Sequence, residues 1–224
     1  MSDSVNARQR LAESLAEAVA AALRADLAEQ DRVLLIVSGG STPLAFFEAL
    51  STSELDWDRV DVTLADERWV DESSDDSNTR LVKRHLLRER AAQARFVPLT
   101  TADATPEEGV AELEKSAAGL SWPASVVILG MGGDGHTASL FPDSPQLKDG
   151  LTTEAALLAV HAPSVPQPRI SFSRHRLAQA KRHFVHLTGA EKRAVFAKAL
   201  AGDDVFEAPI RAFMDAPLSL YWAP

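Results

Sequence analysis

Near the start of the chain an apolar residue recurs at every fourth position: Leu11, Leu15, Val19, Leu23 and Leu27, set among alanines. That spacing lays one apolar stripe along a cylinder and predicts a long helix over Asn6–Glu29. Val33–Val37 shows a different pattern, an unbroken apolar run with β-branched members, as in a strand buried on both faces. It stops at Ser38-Gly39-Gly40-Ser41-Thr42-Pro43, after which a helix to about Leu50 is expected, with Pro43 suited to its first turn.

The alternation then repeats. Val60–Ala65 reads as a strand leading into Asp66-Glu67-Arg68-Trp69, followed by a polar loop, Asp71–Ser77, and a helix from Asn78 to about Arg90. Thr105 and Glu108 have the spacing of a capping box and start a helix that runs to about Leu120. Ser125–Leu129 is a second fully apolar strand pattern and enters a glycine-rich turn. Ala156–Val160, Ile170–Phe172 and Phe184–Leu187 read as later strands, Glu191–Leu200 as a helix and Leu218–Trp222 as a short closing strand.

Strands alternating with helices predict an α/β fold, a mostly parallel, doubly wound sheet with helices on both faces. No linker, repeat or low-complexity tract interrupts residues 1–224, so a single domain is expected. In such folds ligands sit beyond the carboxyl ends of the strands. Three expected strands deliver polar or glycine-rich turns there: Ser38–Thr42, Asp66–Arg68 and Gly130–His136.

Composition narrows the function classes. With 23 Lys and Arg against 32 Asp and Glu the net charge is −9, which disfavours nucleic acid and anionic membrane surfaces. A small anionic ligand stays open, because a few local donors outweigh the mean field. The absence of cysteine excludes disulfides, thiolate metal sites and a cysteine nucleophile. The longest apolar runs, such as Ala155–Val160, fall far short of the ~20 residues that span a bilayer. The opening Met-Ser-Asp-Ser carries neither a basic nor an apolar leader region, so a cytoplasmic location is expected.

Three groups of residues could carry chemistry. Ser38-Gly39-Gly40-Ser41-Thr42 lies between a strand and a helix start, where glycines permit close backbone approach and free N–H groups attract an anion. A phosphate cradle and a simple capped turn both fit this loop; no Walker lysine and no dinucleotide glycine pattern follows. Leu129-Gly130-Met131-Gly132-Gly133-Asp134-Gly135-His136 is more telling, since four glycines in six positions serve a sharp turn or a ligand rather than a core. His136 can take a proton from water near neutral pH, and Asp134, two residues away, can orient the ring; an Asx-type turn is the structural alternative. The other histidines, His85, His161, His175, His183 and His186, read as surface or structural groups. At Asp66-Glu67-Arg68 strand alternation sends two of the three side chains toward the cleft. Arg169 and Lys192 stand at strand and helix starts, where they can add positive charge. No histidine or carboxylate spacing typical of a metal site occurs.

In this order the motifs resemble a known family. Ser38–Pro43, Asp66-Glu67-Arg68-Trp69-Val70, Ser77-Asn78, Gly132–Pro142, Pro168-Arg169-Ile170 and Thr188-Gly189 with Lys192 are similar to those of the 6-phosphogluconolactonases of the pentose phosphate pathway, which share their fold with glucosamine-6-phosphate isomerase/deaminase. The resemblance runs from about Val33 to Lys192, and the Gly132–Pro142 segment is its most specific part. It implies hydrolysis of 6-phospho-D-glucono-1,5-lactone to 6-phosphogluconate, with a small sugar-phosphate lactone as the partner and no metal or organic cofactor. It further implies that Ser38–Thr42 hold the phosphate with help from Arg169 and Lys192. Asp66 and Arg68 would line the sugar site, and His136 would be the general base supported by Asp134. Two alternatives stand beside it. The deaminase carries Gly-His-Ile-Ala-Phe-Asn-Glu-Pro in the corresponding segment, where Phe141 here replaces the glutamate and Asp143 follows two positions on. A non-catalytic sugar-phosphate-binding protein would need the loop, Arg169 and Lys192 but not His136.

Overall fold

The computed structural model describes residues 3–215 and 217–224. Helix α1 (Asp3–Leu27) carries the stripe read from the sequence: Leu15, Val19, Leu23 and Leu27 are buried, with Leu11 at the rim. It packs on α2 (Leu44–Ser51) and against the first strand, β1 (Val33–Val37), every residue of which is buried. The chain continues through β2 (Val60–Leu64), β3 (Asp66–Arg68), α3 (Asn78–His85), β4 (Arg95–Phe96), α4 (Pro106–Ala118) and β5 (Val126–Leu129). It then forms α5 (Leu147–Thr152), β6 (Leu157–Val160), β7 (Arg169–Phe172), α6 (Arg174–Ala178), β8 (His183–Thr188), α7 (Ala190–Ala201) and β9 (Leu218–Ala223).

Six strands form one sheet in the order β4-β2-β1-β5-β8-β9, all parallel. The chain winds outward from β1 to β2 and β4 on one side, and from β5 to β8 and β9 on the other. The loops after β1 and β5 therefore part at the switch point, where such sheets open a crevice. β1, β2 and β5 are buried along their whole length, so helices and loops cover both faces.

One expectation changes. Asp66–Arg68 does not extend the parallel sheet, and neither do the strands expected at Ala156–Val160 and Ile170–Phe172. They form a second, antiparallel sheet in the order β3-β7-β6. Ala65 is the joint between the two: its N–H donates to Val37 C=O in the main sheet (2.8 Å), and its C=O accepts from Phe172 N–H in the small one (2.9 Å). A second expectation, a helix to Arg90, is cut short. The chain leaves α3 after His85, passes Glu89 at φ 47° and closes a 3-10 turn that buries Ala91. The capping box of α4 forms as read, with Thr105 and Glu108 exchanging hydrogen bonds. Among the described residues, no helix is long and apolar enough to cross a membrane.

Candidate active site

At the carboxyl edge of the main sheet lies a cavity of about 340 Å³, within the range of small-ligand sites. The turn after β1 supplies Ser38–Pro43, the turn after β5 supplies Gly130–Gly132 and His136–Ala138, and β8 with the start of α7 supplies His186–Thr188 and Lys192. Asp66, Arg68 and Asn78 close it from the side.

The glycine turn is built to present His136. Gly132 N–H donates to His136 C=O (2.8 Å) and Gly135 N–H to Gly132 C=O (3.1 Å). Thr137 Oγ1 donates to Gly130 C=O (2.8 Å). The imidazole lies so close to Gly132 that a Cβ there would collide with the ring and with Asp134. Asp134 Oδ1 accepts both His136 N–H (3.1 Å) and the ring Nδ1–H (2.5 Å). The carboxylate thus acts as turn cap and ring orienter at once. Burial works to raise the Asp134 carboxyl, but the hydrogen bond and attraction of His136 win and hold it below the ordinary range. With Nδ1 donating to the carboxylate, the lone pair of the neutral ring lies on Nε2. The ring is also packed against Phe141, centroids 4.4 Å apart. Asp134 itself faces away from the cavity, toward α7 and residues 202–211. From that side Ile210 N–H donates to Gly135 C=O (3.0 Å) and braces the turn.

In the loop after β1, Ser38 Oγ donates to Ile128 C=O (2.9 Å) and accepts Gly130 N–H (3.3 Å), so it clasps β1 to β5. The N–H groups of Gly39, Gly40, Ser41 and Thr42 have no partner among the described residues. Thr42 Oγ1 sits 3.5 Å from Thr188 Oγ1, next to the helix start that carries Lys192. Free backbone N–H groups, hydroxyls and an ammonium thus converge on one end of the cavity, a donor set of the kind that suits an anion.

Alternation along β3 places Asp66 and Arg68 on the cavity and turns Glu67 inward, where it is 1% exposed. Glu67 accepts the N–H groups of Arg68 (2.7 Å), Asn78 (2.9 Å) and Thr79 (2.7 Å), pinning the first turn of α3. Burial pushes its carboxyl up against the pull of those donors. The pinned helix delivers Asn78, whose Nδ2 donates to Asp66 C=O (3.1 Å) and whose amide fills the space where a Cβ on Gly39 would lie. In the sequence Ser77-Asn78 stands as one of the motifs of the family resemblance, with no role in the site attached to it.

Arg169, expected beside the phosphate, is not part of the cavity wall. It stands opposite Arg68 in the β3–β7 register, 6% exposed, with its guanidinium 6.0 Å from the Phe141 ring. Burial and the neighbouring Arg68 both push its pKa down. His186, read from sequence as surface or structural, is 5% exposed and lines the cavity floor, with Nδ1 unpartnered among the described residues. Burial lowers its pKa to about 4. Nothing in the local sequence marks it, because its setting is created by Phe46 of α2 packing edge-on at 6.0 Å.

Comparison with known proteins brings the geometry together with a family. The family model for glucosamine-6-phosphate isomerases/6-phosphogluconolactonase matches residues 6–222. A 6-phosphogluconolactonase of Pseudomonas aeruginosa is 48% identical, covering 95% of this chain and 90% of the relative. One of Rhizobium meliloti is 46% identical, covering 96% and 94%. Among solved structures, a 6-phosphogluconolactonase from Shewanella baltica superposes with a TM-score of 0.95 at 40% identity, covering 96% of this chain and 94% of that one.

Proposed function

This chain belongs to the glucosamine-6-phosphate isomerase/6-phosphogluconolactonase family, and from that premise we propose how its cavity opens 6-phospho-D-glucono-1,5-lactone to 6-phosphogluconate. The observation that carries the reading is His136, oriented from behind by Asp134 and packed on Phe141, in one cavity with the free donors of the loop after β1 and Lys192.

A δ-lactone carbonyl is already electrophilic, so the protein has to position the substrate, place a water and remove its proton. The phosphate binds the N–H groups of Gly39–Thr42, the hydroxyls of Ser41 and Thr42 and the Lys192 ammonium. Asp66 accepts a ring hydroxyl. His136 Nε2 takes a proton from water as its oxygen bonds to the carbonyl carbon, and Asp134 stabilises the imidazolium. The glycine N–H groups of the turn that reach the cavity are spent within the protein, so Arg68 holds the tetrahedral oxyanion. Collapse breaks the bond from that carbon to the ring oxygen, and the proton on His136 passes to the departing oxygen, which becomes a free hydroxyl. Arg169 backs Arg68 from the neighbouring strand instead of touching the phosphate.

The sister isomerisation moves protons between carbons and needs a further carboxylate. Where one would stand, Phe141 fills the space against His136, and Asp143 is engaged with Ser164 N–H (2.8 Å) and Oγ (3.0 Å). Both facts favour the lactonase. The test is an initial-rate assay on freshly generated lactone with spontaneous opening subtracted, run beside glucosamine 6-phosphate. His136→Ala should lose about 10²–10⁴-fold in kcat with its Tm preserved. A folded variant retaining wild-type kcat, or comparable turnover of the amino sugar by the wild type, overturns the reading.

A further inference from the structure

The turn after His136 does more than close the glycine loop. Thr137 is tied back to Gly130 C=O, Leu140 N–H donates to Thr137 C=O (3.0 Å), and Ala138 between them takes φ 47°, a left-handed conformation that a non-glycine residue adopts only under constraint. The twist sends the next side chain, Ser139, across to the small sheet. Ser139 is fully buried, and its Oγ donates to Asp66 Oδ2 at 2.6 Å. Its N–H donates to Ser171 Oγ (3.2 Å), and Ser171 is the register partner of Asp66. Ser171 Oγ itself donates to Phe172 C=O. Asp66 Oδ1 makes no hydrogen bond among the described residues, and Asp66 lines the cavity.

We propose that Ser139 is a positioning residue: it fixes the Asp66 carboxylate in one orientation, so that Oδ1 alone reads a hydroxyl of the sugar ring, in register with the His136 turn. A carboxylate free to rotate offers either oxygen and accepts hydroxyls of either configuration. One clamped through Oδ2 favours a single stereochemistry. The proposal rests on the lactonase reading and deepens it, making Ser139 a determinant of substrate choice through Asp66.

Ser139→Ala should raise KM for the phosphorylated gluconolactone about tenfold, the worth of a hydrogen bond to a charged group, with kcat within about threefold. Its preference over the C4-epimeric phosphorylated lactone should shrink. In an Asp66→Ala background the same substitution should change kcat/KM by less than about twofold. Ser139→Cys keeps the side-chain shape with a weaker donor and a somewhat larger atom, and should fall between Ser and Ala; it carries the test if the alanine variant fails to fold. Unchanged KM and preference in Ser139→Ala, or in Ser139→Cys where only that variant folds, overturns the proposal. So does an equal loss with and without Asp66, which would mark a merely structural role. If the wild type itself fails to open the lactone above background, the lactonase reading falls instead.

Discussion

At the scale of single residues, the site depends on contacts with no room to spare. Gly39 is the sharpest case, because the Asn78 amide occupies the place of its missing Cβ while holding Asp66 C=O. Gly39→Ala should displace Asn78 or the cradle loop, costing about 1–3 kcal/mol as overpacking does and weakening binding of inorganic phosphate. Adding Asn78→Ala should return most of the stability, and calorimetric titration with a melting curve for each variant decides it. Full stability in the single variant would show that the loop yields freely. The Asp134–His136 pair was legible in the sequence because four glycines around two polar groups have no use in a core. Asn78, Ser139 and His186 were not legible as site residues. Each is polar in an ordinary local pattern, and what distinguishes it is a partner far along the chain: Gly39, Asp66 and Phe46.

At the scale of elements, apolar periodicity located the long helix, the central strands and the closing strand, but not the direction of the short ones. A four-residue strand such as β7 carries no record of which neighbour it will pair with, and Ala65 hands the chain from one sheet to another with no breaker residue. The brief helices α5 and α6 and the two-residue β4 are too short to show a period. The closing strand lies beyond the Val33–Lys192 motifs, yet it supports the site. Trp222 Nε1 donates to Gly189 C=O (2.8 Å), Gly189 N–H donates to Ala223 C=O (2.8 Å), and Arg193 lies 4.5 Å from the Trp222 ring centroid. β9 therefore holds the turn that opens α7 and presents Lys192. Trp222→Ala should cost about 3 kcal/mol and raise KM for the phosphorylated lactone more than it lowers kcat. A normal KM in a destabilised variant would detach β9 from phosphate binding.

At the scale of the whole molecule, the fold buries an imidazole that water would protonate. An unfolded His186 titrates near the ordinary 6.5, whereas burial holds it at about 4 in the native state. Between those values the unfolded chain takes up a proton that the native state refuses. Stability is therefore complete above about pH 6.5 and declines toward pH 4, by up to ~1.4 kcal/mol per pH unit. His183, also lowered by burial, adds in the same direction. Asp26, Asp61 and Asp134, whose partners hold them below 3.8, lose their contributions only at more acid pH. Urea midpoints from about pH 4.5 to 7.5 should show His186→Leu with the shallower slope, and parallel curves would refute the assignment. The docking of β9 has one more consequence, for a chain made in order from its amino end. When a ribosome has released residues only as far as Lys192, every group proposed to touch substrate is already synthesised, yet the Gly189 turn still lacks Trp222 and Ala223. Binding competence should thus arrive late and abruptly during translation, after the last strand locks into the sheet rather than when the last functional side chain is made.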